Sequence, residues 1–138
     1  APRIGQENLK LGCIGDYLDH ADFPILGICV GHQFIVMHFG GEAGPATVPE
    51  YGKVEMVVDE EDDILKGIPK KSQVWLSHND EVKSLPEGFQ SLAHSEHCAV
   101  QAFKYHKKPF YGCQFHPEVE HSEYGRQVFE NFLKICKK

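Results

Sequence analysis

The stretch Phe23-Pro24-Ile25-Leu26-Gly27-Ile28-Cys29-Val30-Gly31-His32-Gln33 limits what this chain can fold into more than any other. A short apolar run after a proline is the pattern of a strand buried on both faces of a parallel sheet. It passes directly into a helical pattern that runs to about Phe39, where Gly40-Gly41 can supply the left-handed residue that ends a helix. The expectation is an α/β fold with a mostly parallel central sheet, and with Cys29 on the turn from strand to helix.

A nucleophile on such a turn has a strained backbone and needs small neighbours. Gly27 and Gly31 supply them, as in the G-x-S-x-G elbow with cysteine in place of serine. The helix beginning near Val30 points unpaired N–H groups and its dipole at the sulfur, which favours the thiolate. A free cysteine is equally at home as a small buried hydrophobe, so the elbow needs a second half.

That half lies at Tyr111-Gly112-Cys113-Gln114-Phe115-His116-Pro117-Glu118. A thiol nucleophile needs a group that accepts its proton and returns one to the leaving amine, and histidine titrates in the right range. His116 and Glu118 are two residues apart at a strand end, so both project to one side and the carboxylate can take an imidazole N–H. Pro117 between them stiffens the turn. His78, in Ser77-His78-Asn79-Asp80, competes for the role of base, and His116 is preferred for its Glu118.

The combination G-I-C-V-G-H-Q with Q-F-H-P-E resembles the class I (triad) glutamine amidotransferases. The segments V-W-L-S-H-N-D-E-V over 74–82, L-P-E-G-F over 85–89 and 114–121, with Gly125 and Asn131-Phe132, are similar to the glutaminases of GMP synthases, in the form where the glutaminase is a separate subunit. The resemblance runs from about Phe23 to the C-terminus. It implies a three-layer, flavodoxin-like domain in which Cys29, His116 and Glu118 form the triad. It also implies that Gln33 contacts the glutamine substrate, and that the segment of Ser77, Asn79 and Asp80 lies across the glutamine pocket. Hydrolysis of L-glutamine would yield glutamate and ammonia, the ammonia passing to an ATP-pyrophosphatase (synthetase) subunit that aminates XMP to GMP. The oxyanion of acyl transfer needs two donors. The N–H of Val30, next after the nucleophile, is one, and by resemblance a glycine-rich turn preceding Ala1 is the other. No G-x-x-x-x-G-K loop occurs, so no cofactor is expected in this chain, and ATP and magnesium are expected only in the partner. Two alternatives stay open: a γ-glutamyl hydrolase or peptidase with the same triad, and a non-catalytic binding subunit.

Residues 1–5 read as a loop and 7–19 as a helix, with no strand ahead of Phe23 to flank a parallel sheet. The expectation is one domain, 1–138, that lacks the βα units preceding this point in the family. Further on, 44–52 reads as a loop on a rim or partner contact, and 53–58 as a strand with one wet face. Residues 73–76 read as a strand delivering 77–80 to a loop; 89–93, 98–105 and 110–115 as strands; and 123–135 as a helix capped by Ser122, with Tyr124, Val128, Phe132 and Ile135 inward.

A formal net charge of -6, with basic residues gathered only at 104–108 and the C-terminus, argues against a nucleic-acid binder. No run is long enough to cross a membrane and no charged-then-apolar leader is seen. Five cysteines without C-x-x-C spacing fit a reducing compartment, and the expected location is the cytoplasm. The acidic turn at 60–63 and the cluster His94, His97, Cys98 lack metal-ligand spacing, so no metal site is expected.

Overall fold

β1 (Ile25–Ile28) and α1 (Val30–His38) form where the apolar run and the helical pattern place them. The computed structural model describes residues 18–119 and 122–137. The expected helix over 7–19 therefore falls almost wholly outside the described residues, and only its end is seen, with Leu18 buried.

The chain continues through β2 (Glu42–Val58), a 3₁₀ turn (Asp63–Leu65), β3 (Lys71–Ser84), β4 (Phe89–Ser95), β5 (Cys98–Tyr105), β6 (Phe110–Cys113) and α2 (Gly125–Cys136). One six-stranded sheet has the order β1-β6-β5-β4-β2-β3. β1 and β6 are parallel, with Ile25 opposite Phe110 and Ile28 opposite Cys113. The other pairings are antiparallel, so among the described residues the sheet is mixed and not mostly parallel. For two of these pairings the physical reason is connection length. A parallel neighbour needs a crossover of a dozen or more residues, whereas β4, β5 and β6 follow one another through short turns that favour antiparallel return.

The three-layer expectation holds. Leu26, Ile28, Tyr111 and Cys113 face a cluster closed by Val128, Phe132 and Ile135 of α2. Ile25, Phe103 and Phe110 face a second cluster with Phe34, Ile35 and Val36 of α1. β1 is thus covered on both sides, as its unbroken apolar run requires.

Two segments read as loops are strand. Residues 44–52 belong to β2 and 77–80 to β3, and the two pair along most of their length, with an irregularity between Pro45 and Glu50. Turn-rich composition hid this because β2 is anchored by a side chain. Glu50, only 5% exposed, accepts hydrogen bonds from Ser95 Oγ at 3.0 Å to each carboxylate oxygen, and from Gln101 Nε2 at 3.4 Å. The alternation over 53–58 is as expected, with Met56 and Val58 buried and Val54 packed against them. Ser122 does not cap α2, whose first flanking residue is Tyr124 without a side-chain cap bond. Tyr124 is exposed instead of facing inward.

β3 ends the sheet, and its free edge is covered by the chain that follows β6. His116 N–H donates to Trp75 O at 3.0 Å and Glu123 N–H to Gln73 O at 2.9 Å. In return Gln73 N–H donates to Glu123 Oε1 at 2.8 Å and Trp75 N–H to Ser122 Oγ at 2.9 Å. An uncovered edge would invite another chain, and here it positions the loop carrying His116.

Candidate active site

Cys29 has φ 54° and ψ −104°, a backbone that non-glycine residues rarely adopt and that costs on the order of 1–3 kcal/mol. It is held there by its own N–H, which donates to Cys113 O at 2.9 Å, and by its carbonyl, which accepts the first helical bond from Gln33 N–H at 3.1 Å. Gly27 is required: a Cβ there would lie 2.7 Å from the Gly31 carbonyl carbon. Gly31 is not required on the same ground, since a Cβ there meets no described atom within 4 Å.

The Cys29 thiol is buried, and that burial raises it above its usual 9.0. Opposing this are hydrogen bonds from the Val30 N–H and from the Gln114 side-chain amide, while the charge of Glu118 adds to the rise. The helix terminus therefore favours the thiolate, as expected, but desolvation outweighs it. Val30 has its N–H where an oxyanion donor is needed, next to the sulfur.

His116 and Glu118 meet as the spacing predicts, with His116 Nδ1 2.9 Å from Glu118 Oε2. That bond leaves Nε2 as the ring nitrogen for chemistry. Both residues sit on the loop after β6, and Cys29 follows β1, the parallel neighbour of β6, so thiol and imidazole leave the same end of two adjacent strands. The loop is tied down by Ser122, whose Oγ donates to His116 O at 2.8 Å while accepting from Trp75 N–H. Gly125 permits the loop to return across α2, because a Cβ there would lie 2.0 Å from Pro117 O.

Two carboxylate spacings look alike in the sequence, for Asp80 stands to His78 as Glu118 stands to His116. Spacing alone does not separate the two histidines. His78 is on β3 opposite Glu50, and its side chain lies outside what the structure describes.

Of the residues expected to meet glutamine, Gln33 and Asp80 come together. Gln33 is buried, and its Nε2 donates to Asp80 O and to Gln114 Oε1, each at 2.9 Å. Ser77 lies opposite Tyr51, and Asn79 Oδ1 accepts from the Tyr51 hydroxyl. Side chains alternate along a strand, so Ser77 and Asn79 face away from Asp80. Sequence reasoning gives no role to Gln114 and takes Ser122 for a cap. The signal for Gln114 is its place in the Gln-Phe-His run, two residues before the candidate base.

No group of three or more metal-binding side chains occurs among the described residues. His94 instead pairs with Asp59 at 2.8 Å and His97 lies 3.8 Å from Glu96.

A family model described as glutamine amidotransferase class-I matches residues 7–136. The chain is 47% identical over 137 residues to the A subunit of the glutamine-hydrolyzing GMP synthase of Thermoplasma volcanium, covering 99% of this chain and 68% of that one. It is 52% identical over 124 residues to the protein of the same name from Methanocaldococcus jannaschii, covering 90% and 65% respectively. The chain thus spans about two thirds of the length of these relatives. A crystal structure from Thermoplasma acidophilum, 48% identical, matches with TM-score 0.96 over 99% of this chain and 69% of that one. A glutamine amidotransferase structure from Thermotoga maritima shares the fold, with TM-score 0.72 at 23% identity over 94% of this chain and 53% of that one.

Proposed function

Because this chain belongs to the class-I glutamine amidotransferase family, we propose that it hydrolyses L-glutamine at Cys29 and hands the ammonia to a separate synthetase subunit that aminates XMP to GMP. The observation that carries this reading is the strained Cys29, at the end of β1 and beside the loop on which His116 and Glu118 are already hydrogen-bonded.

Cys29 as thiolate attacks the side-chain amide carbon, and the negative charge that develops on oxygen is met by the Val30 N–H. The C–N bond breaks as His116 gives its proton to the departing nitrogen, releasing ammonia and leaving a γ-glutamyl thioester. His116 then takes a proton from water, the hydroxyl adds to the thioester, and glutamate departs as the sulfur is freed. Glu118 orients the imidazole and stabilises its protonated form. Gln33, Ser77, Asn79 and Asp80 are assigned to the walls that hold the substrate's amide and end groups. Ammonia at neutral pH is mostly ammonium and not nucleophilic, which favours direct transfer to a docked partner. The partner is assigned ATP and magnesium, this chain no cofactor, and the assembly a cytoplasmic location. Among the described residues no helix is long and apolar enough to cross a membrane.

The test uses the full-length protein. Glutamine hydrolysis is expected to be low alone, to rise when the synthetase partner is added, and to be lost in Cys29→Ala. Cys29 is expected to be the residue labelled by a diazo-ketone analogue of glutamine. Equal turnover by wild type and Cys29→Ala would overturn the reading. Glutamate released faster from γ-glutamyl peptides than from glutamine would favour the hydrolase alternative.

A further inference from the structure

We propose that Gln114 is a catalytic residue that governs the charge of the nucleophile, as the last link of a buried amide relay joining Cys29 to strand β3. The proposal rests on the reading of Cys29 as nucleophile. Gln114 is fully buried and Gln33 is 3% exposed, so neither amide exchanges its partners with water. The relay runs from Asp80 O through Gln33 Nε2 at 2.9 Å to Gln114 Oε1 at 2.9 Å, and from Gln114 Nε2 to Cys29 Sγ at 3.5 Å.

Its polarity is fixed at one end. A backbone carbonyl can only accept, so Asp80 O obliges Gln33 to present its NH₂ group. The same NH₂ meets Gln114, which must therefore present its oxygen to Gln33. The remaining half of the Gln114 amide, a donor, is then aimed at the sulfur. A fixed N–H donor stabilises a thiolate more than a thiol, because the charged sulfur is the stronger acceptor. Gln114 and the Val30 N–H are thus two groups that favour the reactive form against burial. Among the described residues, the ionisable groups that the sulfur feels are Glu118 on the loop after β6 and Cys113 on β6, while Asp80 on β3 contributes its backbone carbonyl.

The consequence is a coupling between β3 and the thiol. Gln33 is positioned by Asp80 O, and Asp80 belongs to the segment assigned to the substrate's end groups. A ligand that holds this part of β3 in place holds the donor on Cys29 as well. Displacement of the Asp80 carbonyl leaves Gln33 and then Gln114 without a fixed orientation, and the thiol loses a donor.

The pH dependence of iodoacetamide alkylation at Cys29 in the full chain, followed by peptide mass mapping, tests this. In Gln114→Met the donor facing sulfur is lost and no charge is added beside it. The alkylation midpoint is expected to rise by about one pH unit or more, about a tenfold loss of thiolate at fixed pH. Gln33→Met leaves Gln114 in place but unanchored, and the midpoint is expected to rise less. It serves as the second variant, one link removed from the sulfur, should the substitution at Gln114 impair folding. An unchanged midpoint in Gln114→Met and Gln33→Met overturns the proposal. Alkylation reads the thiol whether or not glutamine is the substrate, so failure here is distinct from failure of the glutaminase reading, which Cys29→Ala turnover decides.

Discussion

Cys29 is held between opposing influences, and its neighbours can be removed one at a time. Burial and the Glu118 charge raise the thiol, while the Val30 and Gln114 donors lower it. Glu118→Gln removes the charge but also the partner that orients His116. The expected outcome is therefore split: Cys29 alkylates at lower pH than in wild type, yet glutamine turnover falls by about 10²-fold or more. A thiol that became harder to alkylate would show that Glu118 acts on the sulfur in some other way. The other buried cysteines should not compete in such an experiment. Cys98 is pushed up to about 12, chiefly by burial, and Cys113 is raised further for the same reason. The His116–Glu118 pairing is legible in the sequence because two residues at a strand end share a side whatever the rest of the fold does. The Gln33–Gln114 contact is not, since its partners are 81 positions apart and no local period relates them.

At the scale of elements, two glycines that look equivalent around Cys29 have different surroundings. Gly27→Ala places a Cβ 2.7 Å from backbone of α1, so β1 and α1 must separate, at a cost of about 1–3 kcal/mol. Gly31→Ala enters a helix with no described atom in the way, and thermal unfolding is expected to stay near wild type or rise by up to about 1 kcal/mol. Equal destabilisation by the two would contradict this asymmetry of the elbow. Gly125→Ala tests the other side of the site. Its Cβ would lie 2.0 Å from Pro117 O, a backbone atom, so residues 116–119 must shift. Turnover is expected to fall further than the melting temperature implies, and loss of the Ser122 hydroxyl bond in Ser122→Ala should act in the same direction more weakly. The strands β1 and β6 are readable because each is short and apolar. The β2–β3 ribbon is not, because what orders residues 44–52 is the buried Glu50 and its pairing to β3, both supplied by distant chain.

Across the whole molecule, the acidic turn at 60–63 is tied to the sheet. Lys104 of β5 pairs with Asp62 and lies 3.2 Å from Asp63. Its hydrogen bond holds the Asp62 carboxyl below the usual 3.8, and Asp62 in turn holds Lys104 above the usual 10.5. The Asp62 share of stability is present above pH 3.8 and lost as pH falls through its lower folded value. The Lys104 share is present below pH 10.5 and lost as pH rises through its higher folded value. Asp62 is half exposed, so the whole effect is below about 1 kcal/mol. Lys104→Met is expected to lower the melting temperature slightly at neutral pH, with the difference vanishing in acid. A difference that grew as the pH fell would mean that the linkage has the opposite sign.

Local chemistry in the chain was enough to specify the strand-turn-helix at Cys29, the paired His116 and Glu118, and the amphipathic α2, because each depends on neighbours within a few residues. The β2–β3 ribbon, the edge of β3 sealed by His116, Ser122 and Glu123, and the amide relay into the thiol were settled by packing. The relay alone needs a carbonyl and an amide brought from 47 to 85 residues away, and it is the register of the assembled sheet, not any periodicity, that sets which groups meet.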